Sequence, residues 1–65
     1  MKIVKHMNHG GRNYVLVFED HPEIDVDYGR VPAYRELISI EDARNPFAHV
    51  AQGVIDSARE AFGAI

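Results

Sequence analysis

Ile40-Glu41-Asp42-Ala43-Arg44-Asn45-Pro46-Phe47-Ala48-His49-Val50-Ala51-Gln52-Gly53-Val54-Ile55-Asp56-Ser57-Ala58-Arg59-Glu60-Ala61-Phe62 is the stretch that decides the fold. Within it Ile40, Ala43, Phe47, Val50, Ala51, Val54, Ile55, Ala58, Ala61 and Phe62 recur at steps of three and four, so one side of a helix is apolar. Pro46 removes a hydrogen bond and clashes with the preceding turn if it lies inside that helix. Ser39 could cap a helix, with Asp42 in the capping-box position, and the helix would then kink at Pro46. Asn45 as cap with Pro46 in the first helical position suits both residues better. The reading favoured is a short turn over 40–44 and a main helix over 46–62, stopped by Gly63. Gly53 falls on its polar side, where a close approach by a partner backbone would explain it.

An amphipathic helix needs an apolar surface to lie on, and the N-terminal half is strand-like. Residues 2–7 and 13–18 both read as strands, the second rich in aromatic and β-branched side chains. Gly10-Gly11 supplies the positive φ that a tight hairpin turn demands. That turn sets Met7 opposite Tyr14, Lys5 opposite Leu16 and Ile3 opposite Phe18. One face then carries Ile3, Met7, Tyr14, Leu16 and Phe18, with Lys5 among them. The other carries Val4, His6, Val15 and Val17. Ile24 to Tyr28 alternates with a period of two and reads as a short edge strand with its acids outward, after which Gly29-Arg30 turns the chain. Pro32 bars a central strand there. Tyr34 to Ile38 is out of phase with the helical stripe and reads as a strand with Leu37 and Ile38 on opposite faces. The fold class is therefore α+β: a small antiparallel sheet of three or four short strands, opened by an N-terminal hairpin, with one long C-terminal helix on one face. Residues 1–65 form a single small domain.

Two sheet faces are apolar and one helix covers only one of them. A chain of 65 residues buries only about 60% of its unfolded surface, and small domains draw extra stability from disulfides, metals or self-association. Cysteine is absent, which excludes disulfides. We therefore expect the second face to meet another molecule, as a homodimer or a heteromer, through Val4, His6, Val15 and Val17.

Charge is unevenly laid out around a net −3. Lys2, Lys5 and Arg12 occur before residue 19 without an acid, whereas 19–27 hold Glu19, Asp20, Glu23, Asp25 and Asp27 without Lys or Arg. Glu23, Asp25, Asp27 and Tyr28 would suit a protein partner with a basic surface. The acidic balance disfavours nucleic acid, leaving at most weak phosphate contact by the basic hairpin. No apolar run approaches the roughly 18 residues of a membrane span, and no signal-peptide pattern opens the chain. We read it as soluble and cytoplasmic.

No catalytic constellation stands out, and no cofactor is expected. Nucleophilic catalysis has little support, since Ser39 is explained as a cap and Ser57 lies on the polar side of a helix. His6, His9, His21 and nearby acids could build a metal or enzyme site only at an interface, because no compact helical ligand pair exists. Asp25 to Glu36 mimics a calcium loop, but Arg30 stands where its glycine belongs. Gly10-Gly11 leads into a strand rather than a helix, so it is no phosphate loop. The expectation is a non-catalytic protein-binding module, an adaptor or inhibitor of a larger protein. Tyr14-Val15-Leu16-Val17, Val31-Pro32-Ala33 and the helix that follows resemble the order found in MbtH-like activators of adenylation domains. The chain lacks that family's tryptophans and its acidic-Gln-Ser-Trp-Pro signature. The order of strands then one helix is also similar in arrangement to HicB-like antitoxin domains. Neither resemblance assigns a role to a residue.

Overall fold

The computed structural model describes all 65 residues. It is α+β, with β1 (Lys2–His9), β2 (Arg12–His21), β3 (Ile24–Val26), β4 (Gly29–Val31), β5 (Tyr34–Asp42) and α1 (Gln52–Phe62) in chain order. An antiparallel three-stranded sheet has the order β1-β2-β5, and β3 pairs only with β4. Gly10 and Gly11, with φ of 61° and 79°, form the turn between β1 and β2. Both angles match the turn hand that follows strand twist. Register is as expected: Met7 faces Tyr14, Lys5 faces Leu16 and Ile3 faces Phe18.

Tyr14, Leu16 and Phe18 of β2 are buried beneath α1, which contributes Val54 and Ala58 to the same core. Met7, Leu37, Ile40, Val50, Phe62 and Ala64 pack around them. Phe18 meets Phe62 at 5.4 Å between ring centroids. Its ring also lies 5.7 Å from the guanidinium carbon of Arg35.

β5 is a strand, as its pattern suggested, but it runs four residues further, to Asp42. Ser39 is therefore a strand residue opposite Val17, not a helix cap. A bulge makes this possible. Val17 pairs with Ser39 and Phe18 with Leu37, so Ile38 is the extra residue. The bulge shifts the alternation. Leu37 and Ile40 both reach the core, while Ile38 stays 48% exposed.

The helix starts at Gln52, six residues later than position 46. Asp42 is the reason. It is buried, and its carboxylate accepts the backbone N–H of Arg44 at 2.8 Å and of Asn45 at 3.4 Å. Asn45 in turn accepts the N–H of Phe47 at 3.3 Å. These bonds close an irregular turn, and Phe47 ends up 97% exposed. The apolar spacing of Ile40, Ala43 and Phe47 thus belongs to a strand end and a loop. Only Val54, Ala58 and Phe62 keep the helical phase against the sheet. Gly63 ends α1 as expected, with φ 66°. The N–H groups of Gly63 and Ala64 return to the carbonyls of Glu60 and Arg59, a Schellman closure.

Residues 22–33 depart most from expectation. β3 is not an edge of the main sheet. It pairs with β4 around Asp27-Tyr28, so the turn precedes Gly29-Arg30 instead of containing them. The last β2–β5 pair is His21 with Tyr34, and the first β3–β4 pair is Ile24 with Val31. Two residues on each strand, Pro22-Glu23 and Pro32-Ala33, separate the two ladders and are not paired. Each proline lacks an N–H and interrupts the ladder. β3 and β4 are thus the far end of one long hairpin, set off as an arm. The molecule measures 46 × 19 × 16 Å as a result.

Candidate functional site

Val4, His6, Val15 and Val17 do come together. Val4 pairs with Val17 and His6 with Val15 on the face away from α1. No segment of the chain covers this face. Val4 is 58% exposed, and Val15 and Val17, in the central strand, are half-buried by their neighbours. The bulge adds Ile38 to the stripe. Sequence reading missed it, although a signal was present: Leu37 and Ile40, three apart, can share one strand face only if a residue between them is extruded.

Charges frame the stripe. Glu19, Glu36 and Glu41 lie on this face by register, with Lys2 opposite Glu19. Glu36 bonds His21 at 2.9 Å, whose ring stacks on Tyr34 at 4.4 Å. Glu41, opposite Val15, has no ion-pair partner. The free acid of the site therefore belongs to β5.

The arm acids are more occupied than their sequence suggests. Arg30 is 3.1 Å from the Glu23 carboxylate and 3.2 Å from that of Asp25, so the arm carries its own counter-charge. Asp27 alone among Glu23, Asp25 and Asp27 lacks a cation. Tyr28, at the tip, is 91% exposed. These four residues form one group at the arm, separate from the valine stripe.

His6, His9 and His21 are not brought together. His6 is on the open face. His9, at the end of β1, has its Nε2 3.4 Å from the Ser57 hydroxyl. His21 stands at the arm root beside Glu36 and Tyr34. No three His, Cys, Asp or Glu side chains cluster closely enough to hold a metal ion. Lys2, Lys5 and Arg12 also fail to form one track. Lys2 is on the open face, Lys5 faces Leu16 on the helix side, and Arg12 reaches Asp42 at 3.9 Å.

Two concavities exist. A polar one of about 300 Å³ lies between the β1–β2 turn and the Asp42 loop. A larger open groove of about 790 Å³ lies where the arm leaves the body, lined by Pro22, Ala33 and Tyr34 on the arm side and Phe62 on the helix side. At its base Arg35 donates to both Asp20 oxygens, at 2.7 and 3.1 Å, and to the Phe62 carbonyl at 3.1 Å. The Arg35 donors hold the Asp20 carboxyl below its ordinary value, against an opposing effect of burial. The same bonds raise the pKa of Arg35. Both charges are thus fixed in an ion pair that ties α1 to the sheet.

No helix is long and apolar enough to cross a membrane. No protein-family model, curated protein or solved structure matches the chain.

Proposed function

We propose that the chain is a non-catalytic protein-binding module that docks a larger protein through its uncovered sheet face. One observation carries this reading. Val4, Val15, Val17 and Ile38 form an apolar stripe on a face that the single helix cannot reach, in a chain whose buried core is only Tyr14, Leu16, Phe18, Val54 and Ala58. A stripe with a charged rim has the anatomy of an interface rather than of a solvated sheet. Glu41 on the β5 side favours a partner with a basic group beside its apolar contact, which speeds encounter and fixes orientation. The role that suits such a module is that of an adaptor or inhibitor.

Site-specific photocrosslinking tests it. A photoreactive residue at Val17 should capture one defined protein from native extract, and the same residue at Glu60, on the outer side of α1, should not. Val4→Asp should abolish the Val17 product while circular dichroism stays unchanged. Equal capture from both positions would remove the sheet face from consideration.

A further inference from the structure

The arm is amphipathic. Ile24 pairs with Val31 and Val26 with Gly29, while Asp25 pairs with Arg30. One side of the ribbon is therefore Ile24, Val26 and Val31, and the other is the Asp25–Arg30 ion pair. Ile24 on the apolar side stays 50% exposed. The groove at the arm root opens beside it.

The arm also costs surface. A compact monomer of 7.3 kDa exposes about 4,200 Å², whereas this chain exposes 4823 Å². Its radius of gyration is 14.0 Å, against about 11 Å for a compact domain of this length. The excess area is on the order of 650 Å², close to the roughly 800 Å² that each partner contributes to a standard interface.

We propose that two copies of the chain pair through their arms about a two-fold axis. The apolar side of each arm lies antiparallel on the other, and Tyr28 of each tip enters the groove at the root of its partner's arm. A second copy is the occupant because one chain supplies both halves, an apolar projection and a groove that sets Pro22, Ala33 and Phe62 beside the Asp20–Arg35 pair, which is the self-complementarity a two-fold contact requires. The ion pairs of the arm point away, so closure leaves no charge stripped of water and unpaired. Tyr28 suits the groove, with an apolar ring and a hydroxyl that can bond near the Asp20–Arg35 pair. This pairing uses residues of the arm and none of Val4, Val15, Val17 or Ile38, so it stands independently of the docking reading above.

A disulfide trap tests the arrangement in the full chain, which has no cysteine of its own. Tyr28→Cys and Ala33→Cys are introduced together. Within one chain the two positions are about 16 Å apart along an extended strand, beyond the ~7 Å that a disulfide spans. Mild oxidation should give a covalent dimer, and adding Val26→Asp should suppress it. By sedimentation equilibrium, Val26→Asp alone should weaken the dimer at least about tenfold. Its helix signal in circular dichroism should remain, because the arm lies outside the core. A chain that stays monomeric, or that oxidises into a ladder of higher species, would overturn the proposal. So would a dimer that Val17→Lys dissolves and Val26→Asp does not, because the open face would then be pairing with itself.

Discussion

Arg35 does several jobs through one planar group. Its fork grips both oxygens of Asp20, its remaining nitrogen satisfies the last helical carbonyl at Phe62, and its face lies toward Phe18. A lysine could place a charge there but not this fork. The pH dependence follows from the depressed pKa of Asp20. Its folded carboxyl releases its proton below the ordinary value of 3.8, so the unfolded chain binds a proton more readily. The stabilisation is fully present above that ordinary value and is lost as pH falls through the lower folded one. Asp20→Asn removes the charge while keeping the shape. The gap in melting temperature between the parent and this variant should be constant near neutrality and should close in strong acid. A gap of the same size at every pH would show that Asp20 acts by packing alone.

At the scale of elements, α1 is weakly specified at its start. Ala51 has the extended backbone of a cap, with ψ 147°, but no side-chain acceptor, and the first turn holds no acid. Gly53 follows, and a Cβ added there would meet nothing within 4 Å. A close approach within the chain does not explain this glycine. Ala51→Asp should therefore stabilise by about 1 kcal/mol through a cap bond and the helix dipole. Gly53→Ala should add roughly 0.5–1 kcal/mol. The two are independent enough for urea midpoints to rise with either and further with both. A loss of stability on Gly53→Ala would mean that position meets another backbone in the assembled state. The same weakness explains why the helix start was illegible. Neither a strong cap nor an acidic first turn marks it, and Ile40, Ala43 and Phe47 happen to keep the helical step. The β1–β2 hairpin was legible to the residue, because Gly10-Gly11 fixes the turn and period-two alternation then fixes each facing pair. Hence the valine face of the candidate site could be named from the sequence. Ile38 was half-legible, since Leu37 and Ile38 were expected on opposite faces and are found so, whereas Glu41 faces outward only because the bulge lets Leu37 and Ile40 share the core.

For the molecule as a whole, the physical division lies at the two prolines, within what would otherwise be one hairpin. On one side, β1, β2 and β5 share a core with α1. On the other, β3 and β4 hold only each other, and an isolated two-stranded ribbon is marginal in water. Sequence reading marked Pro32 as a break but placed Ile24 to Tyr28 at the edge of the main sheet with the turn at Gly29-Arg30, because pairing across an interruption is a tertiary property. Hydrogen exchange should resolve the two parts. Amides of Val15 and Val17 should exchange only with global unfolding, whereas Ile24, Val26 and Val31 should exchange orders of magnitude faster in dilute solution. If arms pair between copies, protection at Val26 should rise with protein concentration while that at Val15 changes little. This dependence connects the arm to function: an arm ordered only in the dimer would present two valine faces at a fixed separation, raising the effective concentration of the second contact once the first has formed. Equal, concentration-independent protection in both parts would mean that the arm is as rigid as the body and has no need of a second copy.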